Sequence, residues 1–137
     1  MITKFYFAGS IRGGREKVDT FIKINELLEK HGEVLDKHVA NPNVGQLEQN
    51  LTETEIYKRD IAWLNECDIV VAEVTTPSLG VGYEIAYAEK LGKKIICLYD
   101  KSINLSAMIR GDENLKVIPY ETDEELLGEL ENALKTN

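Results

Sequence analysis

Short apolar runs alternate with amphipathic stretches along the chain. The runs at Lys4–Ala8, Glu33–Leu35, Ile69–Glu73, Lys94–Tyr99 and Leu115–Ile118 predict strands. Between and after them, helical periodicity covers Arg15–Lys30, Glu53–Glu66, Val81–Leu91, Ser106–Arg110 and Asp123–Lys135. Gly32 and Gly92 fall where helix C-caps belong. Thr52-Glu53-Thr54-Glu55 and Thr122-Asp123-Glu124-Glu125 read as capping boxes at two helix starts. The alternation predicts an α/β, three-layer sandwich around a five-stranded, mainly parallel sheet. Ligands of such folds bind outside the carboxyl ends of the strands. Asp36–Leu51, with Asn41-Pro42-Asn43 and Gly45, is the longest irregular connection and is placed to cover a site.

Two carboxylates interrupt the pattern. On the helix after Ile69-Val70-Val71-Ala72, spacing puts Val81, Glu84, Ile85, Ala88 and Leu91 on one face. A carboxylate there is costly unless it is paired or used. Near a helix N-terminus, the dipole and free N–H groups favour its ionised form. An anion fixed beside a glycine-bearing loop is what nucleophilic attack requires. Asp60 interrupts a second apolar face, shared with Ile56, Trp63, Leu64 and Cys67. Its plain alternative is an ion pair with Arg59, Lys58 or another helix, and for a lone aspartate that alternative prevails. With Glu84 also facing inward, a paired-carboxylate site gains weight. Two carboxyl groups in different environments can serve as nucleophile and proton donor in glycosidic cleavage.

The first strand runs into Gly9-Ser10-Ile11-Arg12-Gly13-Gly14-Arg15. Glycines let the backbone approach a ligand, helix-terminal N–H groups point at an anion, and Ser10 and Arg12 add a hydroxyl and a positive charge. The glycine spacing fits neither a dinucleotide fingerprint nor a Walker loop. Taken alone, a phosphate cradle and a solvated strand-to-helix turn stand even; the position at the carboxyl end of the first strand favours the cradle. Tyr6 reads as a core tyrosine with a satisfied hydroxyl, and spacing alone does not improve on that. His38 reads as a loop or edge residue, and Ser106 as a helix N-cap.

Bulk properties narrow the partners. The 137 residues set the expectation of one domain, 1–137, with 29% charged and 43% hydrophobic residues. No apolar stretch approaches the roughly 18 residues that a membrane span needs, and no secretory pattern precedes Ile2–Ala8, so a cytoplasmic location is expected. A net charge of −8 argues against a nucleic-acid polymer as partner but leaves room for a mononucleotide. Cys67 and Cys97 read as buried free thiols; neither they nor His31 and His38 have metal-ligand spacing, so no metal is expected.

The blocks YFAGSIRGGRE (6–16), VLDKHVA (34–40), RDIAWL (59–64), DIVVAEVTTPSLGVGYE (68–84) and LSAMIRG (105–111) together resemble the 2′-deoxynucleoside 5′-phosphate N-hydrolase family, within the nucleoside deoxyribosyltransferase superfamily. They occur in family order; from Asp112 onward only the strand-and-helix pattern matches. The resemblance implies a Rossmann/flavodoxin-like form of the sandwich. It implies hydrolysis of (2′-deoxy)nucleoside 5′-monophosphates through a covalent glycosyl-enzyme intermediate, without a cofactor. Glu84 would attack C1′, Asp60 would act as acid and then base, and Tyr6 would orient the glutamate. Gly9, Ser10, Ile11, Arg12 and Gly13, with Ser78 and Gly80, would hold the 5′-phosphate and sugar; His38 lies in a matching block as a further substrate contact. Ser106, with Met108, would reach into a neighbouring subunit's site, which implies a homodimer.

Other functions compete. A deoxyribosyltransferase would use the same glutamate without a 5′-phosphate, and the arginines and glycines of 9–15 weigh against it. A relative that cleaves ribonucleotides such as CMP is a close variant. In a non-catalytic nucleotide-binding module, Glu84 and Asp60 would be structural ion-pair residues.

Overall fold

Thr3–Ala8 (β1), Gly32–Val34 (β2), Ile69–Glu73 (β3), Lys94–Asp100 (β4) and Lys116–Tyr120 (β5) form one sheet of order β2-β1-β3-β4-β5. The computed structural model describes residues 1–11 and 17–136. Each of the four strand pairings is parallel. Six helices accompany the strands among the described residues: Val18–His31 (α1), Val44–Glu48 (α2), Glu53–Glu66 (α3), Leu79–Lys90 (α4), Ala107–Arg110 (α5) and Asp123–Lys135 (α6). Strand order reverses between β1 and β3, the position where an open α/β sheet leaves a crevice for ligands.

Alternation along each strand decides which helices cover which face. Phe5, Phe7, Val71, Ile96 and Leu98 pack with Phe21, Ile24 and Leu28 of α1 and Leu126 and Leu130 of α6. Tyr6, Ala8, Val70, Ala72, Ile95 and Cys97 point the other way, into the core that holds Leu64 of α3 and Val81, Ile85 and Ala88 of α4. Each fully buried large apolar side chain contributes about 1.5–3 kcal/mol. The same two-residue period that builds both cores delivers Tyr6 to the α3/α4 side. Cys67 and Cys97 are buried free thiols, as expected.

Several boundaries differ from the sequence expectation. Helix α4 starts at Leu79 rather than Val81, because Ser78 caps it by accepting the Val81 N–H at 3.3 Å. At its other end Leu91 is 40% exposed, so it leaves the inward face on which spacing put it. There the helix has stopped, and Gly92 turns the chain at φ +77. The Thr52 capping box is complete, with both of its hydrogen bonds present. The second box is half formed: Thr122 accepts from Glu125 N–H, whereas the Glu125 carboxylate turns to the Glu121 N–H. The 36–51 connection is not irregular; it holds a 3-10 turn at Lys37–Ala40 and helix α2. Strand β5 extends through Pro119, which an edge strand tolerates. No helix among the described residues is long and apolar enough to cross a membrane.

Candidate active site

A cavity of about 440 Å³ opens at the carboxyl ends of β1 and β3, walled by α3 and α4. Tyr6, Gly9, Ile11 and His38 reach it from the β1 and β2 side, and Asp60, Ser78, Gly80 and Glu84 from α3, the loop after β3 and α4. Ser10 is buried directly after Gly9. Arg12 and Gly13 lie outside the described residues. Ser106 and Met108 do not line this cavity; Ser106 caps α5, accepting the Met108 N–H at 3.2 Å.

At the centre, Tyr6 Oη donates to Glu84 Oε2 at 2.6 Å. Burial, reinforced by the negative charges of Glu84, Asp36 and Asp60, keeps the phenol protonated far above its ordinary range, so Tyr6 is a permanent donor. Burial also pushes the Glu84 carboxyl up to about 7; the Tyr6 hydrogen bond pulls it down and the charge of Asp60 adds to the rise. The helix dipole was expected to favour ionised Glu84. The carboxylate sits on the second turn of α4, beyond the dipole's strongest reach, and loss of water prevails.

Asp60, 19% exposed at its side chain, has an environment of its own. Burial raises its pKa, while the Arg59 guanidinium, 3.0 Å away, opposes the rise. The ion pair named as the plain alternative therefore exists, yet the carboxyl still faces the same cavity as Glu84. Two carboxyl groups shifted by different neighbours around one hollow can divide the work of nucleophile and proton donor.

The glycines have separable reasons. A Cβ on Gly9 would come within 2.8 Å of the Phe21 ring, so packing from below excludes a side chain there. At Gly80 the nearest atom, Ser78 Oγ, would lie at 3.9 Å, so the protein itself leaves room and the space belongs to the cavity.

Three residues were absent from the sequence-based candidate site. Glu48, only 7% exposed, lines the cavity from α2 and accepts from Arg59 Nη2 at 2.5 Å. Its signal was the four-residue spacing from Val44, also buried. Arg59, seen only as an ion-pair partner, binds Glu48 and Asp60 at once. Asp36 is fully buried; its Oδ1 accepts the Phe7 N–H at 2.7 Å, and Oδ2 has no hydrogen-bond partner among the described residues. Burial holds its pKa well above the usual carboxylate range.

The sequence profile described as Nucleoside 2-deoxyribosyltransferase matches residues 5–131. The chain is 42% identical over 137 residues to a 5-hydroxymethyl-dUMP N-hydrolase of Esox lucius, covering 95% of this chain and 94% of that one. A protein of the same name from Tetraodon nigroviridis is 44% identical over 115 residues, 81% of each chain. Among solved structures, the Clostridium botulinum CMP N-glycosidase has a TM-score of 0.70 at 27% identity, covering 94% of this chain and 99% of that one. A Trichoplax adhaerens protein named as a 2′-deoxynucleoside 5′-phosphate N-hydrolase is 44% identical over 124 residues, 87% of this chain and 85% of that one. The chain belongs to the nucleoside 2-deoxyribosyltransferase family, beside these N-hydrolases.

Proposed function

We propose that the protein hydrolyses the N-glycosidic bond of nucleoside 5′-monophosphates, yielding free base and (deoxy)ribose 5-phosphate. The observation that carries this is Glu84, held by the Tyr6 hydroxyl in a cavity that also presents Asp60. The names of the relatives, a 5-hydroxymethyl-dUMP N-hydrolase and a CMP N-glycosidase, support the reaction and the substrate class.

A carboxylate oxygen of Glu84 attacks C1′ as the C1′–N bond breaks, and Asp60 gives its proton to the departing base. The sugar is left as an ester on Glu84. Asp60, now ionised, takes a proton from water, whose oxygen attacks C1′ and releases the Glu84 carboxylate. Splitting one displacement into two keeps a carboxylate beside the oxocarbenium-like transition state. The 5′-phosphate, bound by Gly9, Ser10, Ile11, Arg12 and Gly13 with Ser78 and Gly80, supplies binding energy away from the reacting carbon and fixes C1′ against Glu84. These steps call for no cofactor. His38 serves as a further contact on the cavity wall.

Ser106 and Met108 line a second hollow of about 560 Å³ that adjoins the first through Ser78, Leu79 and Val81. Met108 and Leu79 are 82% and 96% exposed. That arrangement supports a homodimer in which Ser106 reaches its partner's site. Free mononucleotides and reduced thiols at Cys67 and Cys97 fit a cytoplasmic setting.

The test is a panel of deoxy- and ribonucleoside monophosphates with the matching nucleosides, assayed for released base. Release from monophosphates alone supports the proposal. Base exchange with an added free base and no need for phosphate would make the protein a transferase. Binding without release would make it a nucleotide-binding module.

A further inference from the structure

The Arg59 guanidinium is gripped from several sides. Its Nη2 donates to Glu48 Oε2 at 2.5 Å and lies 3.0 Å from Asp60 Oδ1, and its Nε donates to the same Asp60 oxygen at 3.0 Å. His38 Nε2 stands 3.1 Å from Nη2, and the guanidinium lies over the Trp63 ring, 4.9 Å from its centre. Glu48 comes from α2, His38 from the 3-10 turn and Arg59 from α3, so three segments converge on one cation. Glu48 is nearly buried, which makes an idle carboxylate there expensive.

Among the described residues, the groups that act on Asp60 can be named by element. Arg59 on its own helix opposes the proton; Glu48 on α2 favours it. Glu84 on α4, Tyr6 on β1 and Asp36 after β2 are coupled to it electrostatically or through one another. His38 adds a charge beside Arg59 only when protonated, and its Nε2, 3.3 Å from Glu48 Oε2, then donates to Glu48 instead of accepting from Arg59. Glu53 and Tyr57 line the same cavity from the first turns of α3. Against this set, the charge of Glu48 offsets the guanidinium field at both catalytic carboxyls, most strongly at Asp60, which touches Arg59.

We infer that Glu48 is a positioning residue: by holding the Arg59 guanidinium from α2, it sets how strongly that cation acts on Asp60, and with it the pH range in which Asp60 and Glu84 share one proton productively. The inference rests on the proposed role of Asp60 as acid and base.

Its consequence is a pair of shifts of opposite sign. Without the Glu48 charge, the guanidinium acts undiluted on Asp60 and, at longer range, on Glu84; both titrate at lower pH. Without the Arg59 charge, both titrate at higher pH. Because the pair titrates as a unit, the whole kcat/KM profile moves, whichever limb belongs to which residue.

The experiment is the pH profile of kcat/KM for base release from a deoxynucleoside monophosphate by the wild type, Glu48→Gln, Glu48→Asp, Arg59→Gln and Asp60→Asn. Glu48→Gln is expected to move the profile acidward by roughly 0.5–1 unit, a 3- to 10-fold loss on the alkaline limb. Arg59→Gln should move it alkaline, and Glu48→Asp, which keeps the charge, should return it toward the wild type. Profiles that keep their position, or that move in the same direction for Glu48→Gln and Arg59→Gln, overturn the inference; a merely structural Glu48 lowers activity without moving the profile. If Glu48→Gln does not fold, Glu48→Asp decides in its place: a carboxylate one methylene shorter holds Arg59 less closely, so a profile moved part of the way acidward supports the inference and an unmoved one overturns it. Full activity of Asp60→Asn would instead remove the role of Asp60, and inactive Asp60→Asn beside unshifted Glu48 and Arg59 variants would sink only the present inference.

Discussion

Tyr6 on β1 and Glu84 on α4 meet hydroxyl to carboxylate at 2.6 Å, and that contact opposes the burial that pushes Glu84 toward its neutral form. Tyr6→Phe removes the donor and keeps the ring. The pKa of Glu84 is expected to rise further, since the lost bond favoured the charged form. At about 1.5–3 kcal/mol for a hydrogen bond to a charged group, kcat/KM at neutral pH should fall roughly 10- to 100-fold. Part of it should return as the pH is raised. An unmoved profile would remove Tyr6 from this role.

Glu84→Gln separates chemistry from stability. Turnover should fall by orders of magnitude, because the proposed mechanism takes its attacking oxygen from this carboxylate. Stability should change in the other direction. The carboxyl titrates at 4.5 in a free chain and at about 7 when folded. Between those values the folded state holds the proton more tightly, so stability falls as pH rises through that window, and the penalty is full above pH 7. Glu84→Gln is therefore expected to be more stable than the wild type by about 1–3 kcal/mol at pH 8, with the difference vanishing below pH 4.5. Thermal melts at both pH values check it; a less stable variant at pH 8 would contradict the sign.

Arg12→Ala bears on the phosphate cradle. Its effect should be a large loss in binding of nucleoside monophosphates and little loss for nucleosides, because only the former carry the anion. Equal losses in titrations with both would mean that the loop does not read phosphate.

Gly9→Ala tests the packing account of that glycine. The new methyl meets the Phe21 ring at 2.8 Å, and overpacking of this kind costs about 1–3 kcal/mol. Phe21→Leu in the same chain should recover part of the loss in a denaturant titration. No recovery would shift the cause from the ring to the backbone or the ligand.

For assembly, mixing Glu84→Ala with Ser106→Ala subunits should restore activity that neither has alone, since one of the two sites of a hybrid dimer keeps both groups. A fully active monomer by light scattering at assay concentration would end the idea of a shared site.

The central strands were legible because their apolar runs are unbroken, and the long helices because their apolar positions repeat at helical spacing between Gly, Ser and Thr end signals. Glu84 and Asp60 were legible as polar intrusions on apolar faces. The bond between Glu84 and Tyr6 was legible only through the family resemblance, not from spacing, because it depends on the phase of β1 relative to α4, which strand order and register decide. Helix α2 is five residues long, too short to show a period against Pro42 and Gly45, and Glu48 was lost with it. Leu91 misled because periodicity does not announce where a helix stops.

The two-residue period of β1 makes its length a chemical parameter. Phe5 and Phe7 face one core while Tyr6 and Ala8 face the other. Removing one residue from within Thr3–Ala8 would carry a phenylalanine to the mouth of the cavity and turn the tyrosine into the α1/α6 core. Point changes in this strand can be graded, but a shift of frame cannot: it withdraws the donor to Glu84 and exchanges the partners of two cores in one event. Length variation among descendants of this chain is therefore not expected in the six residues of β1.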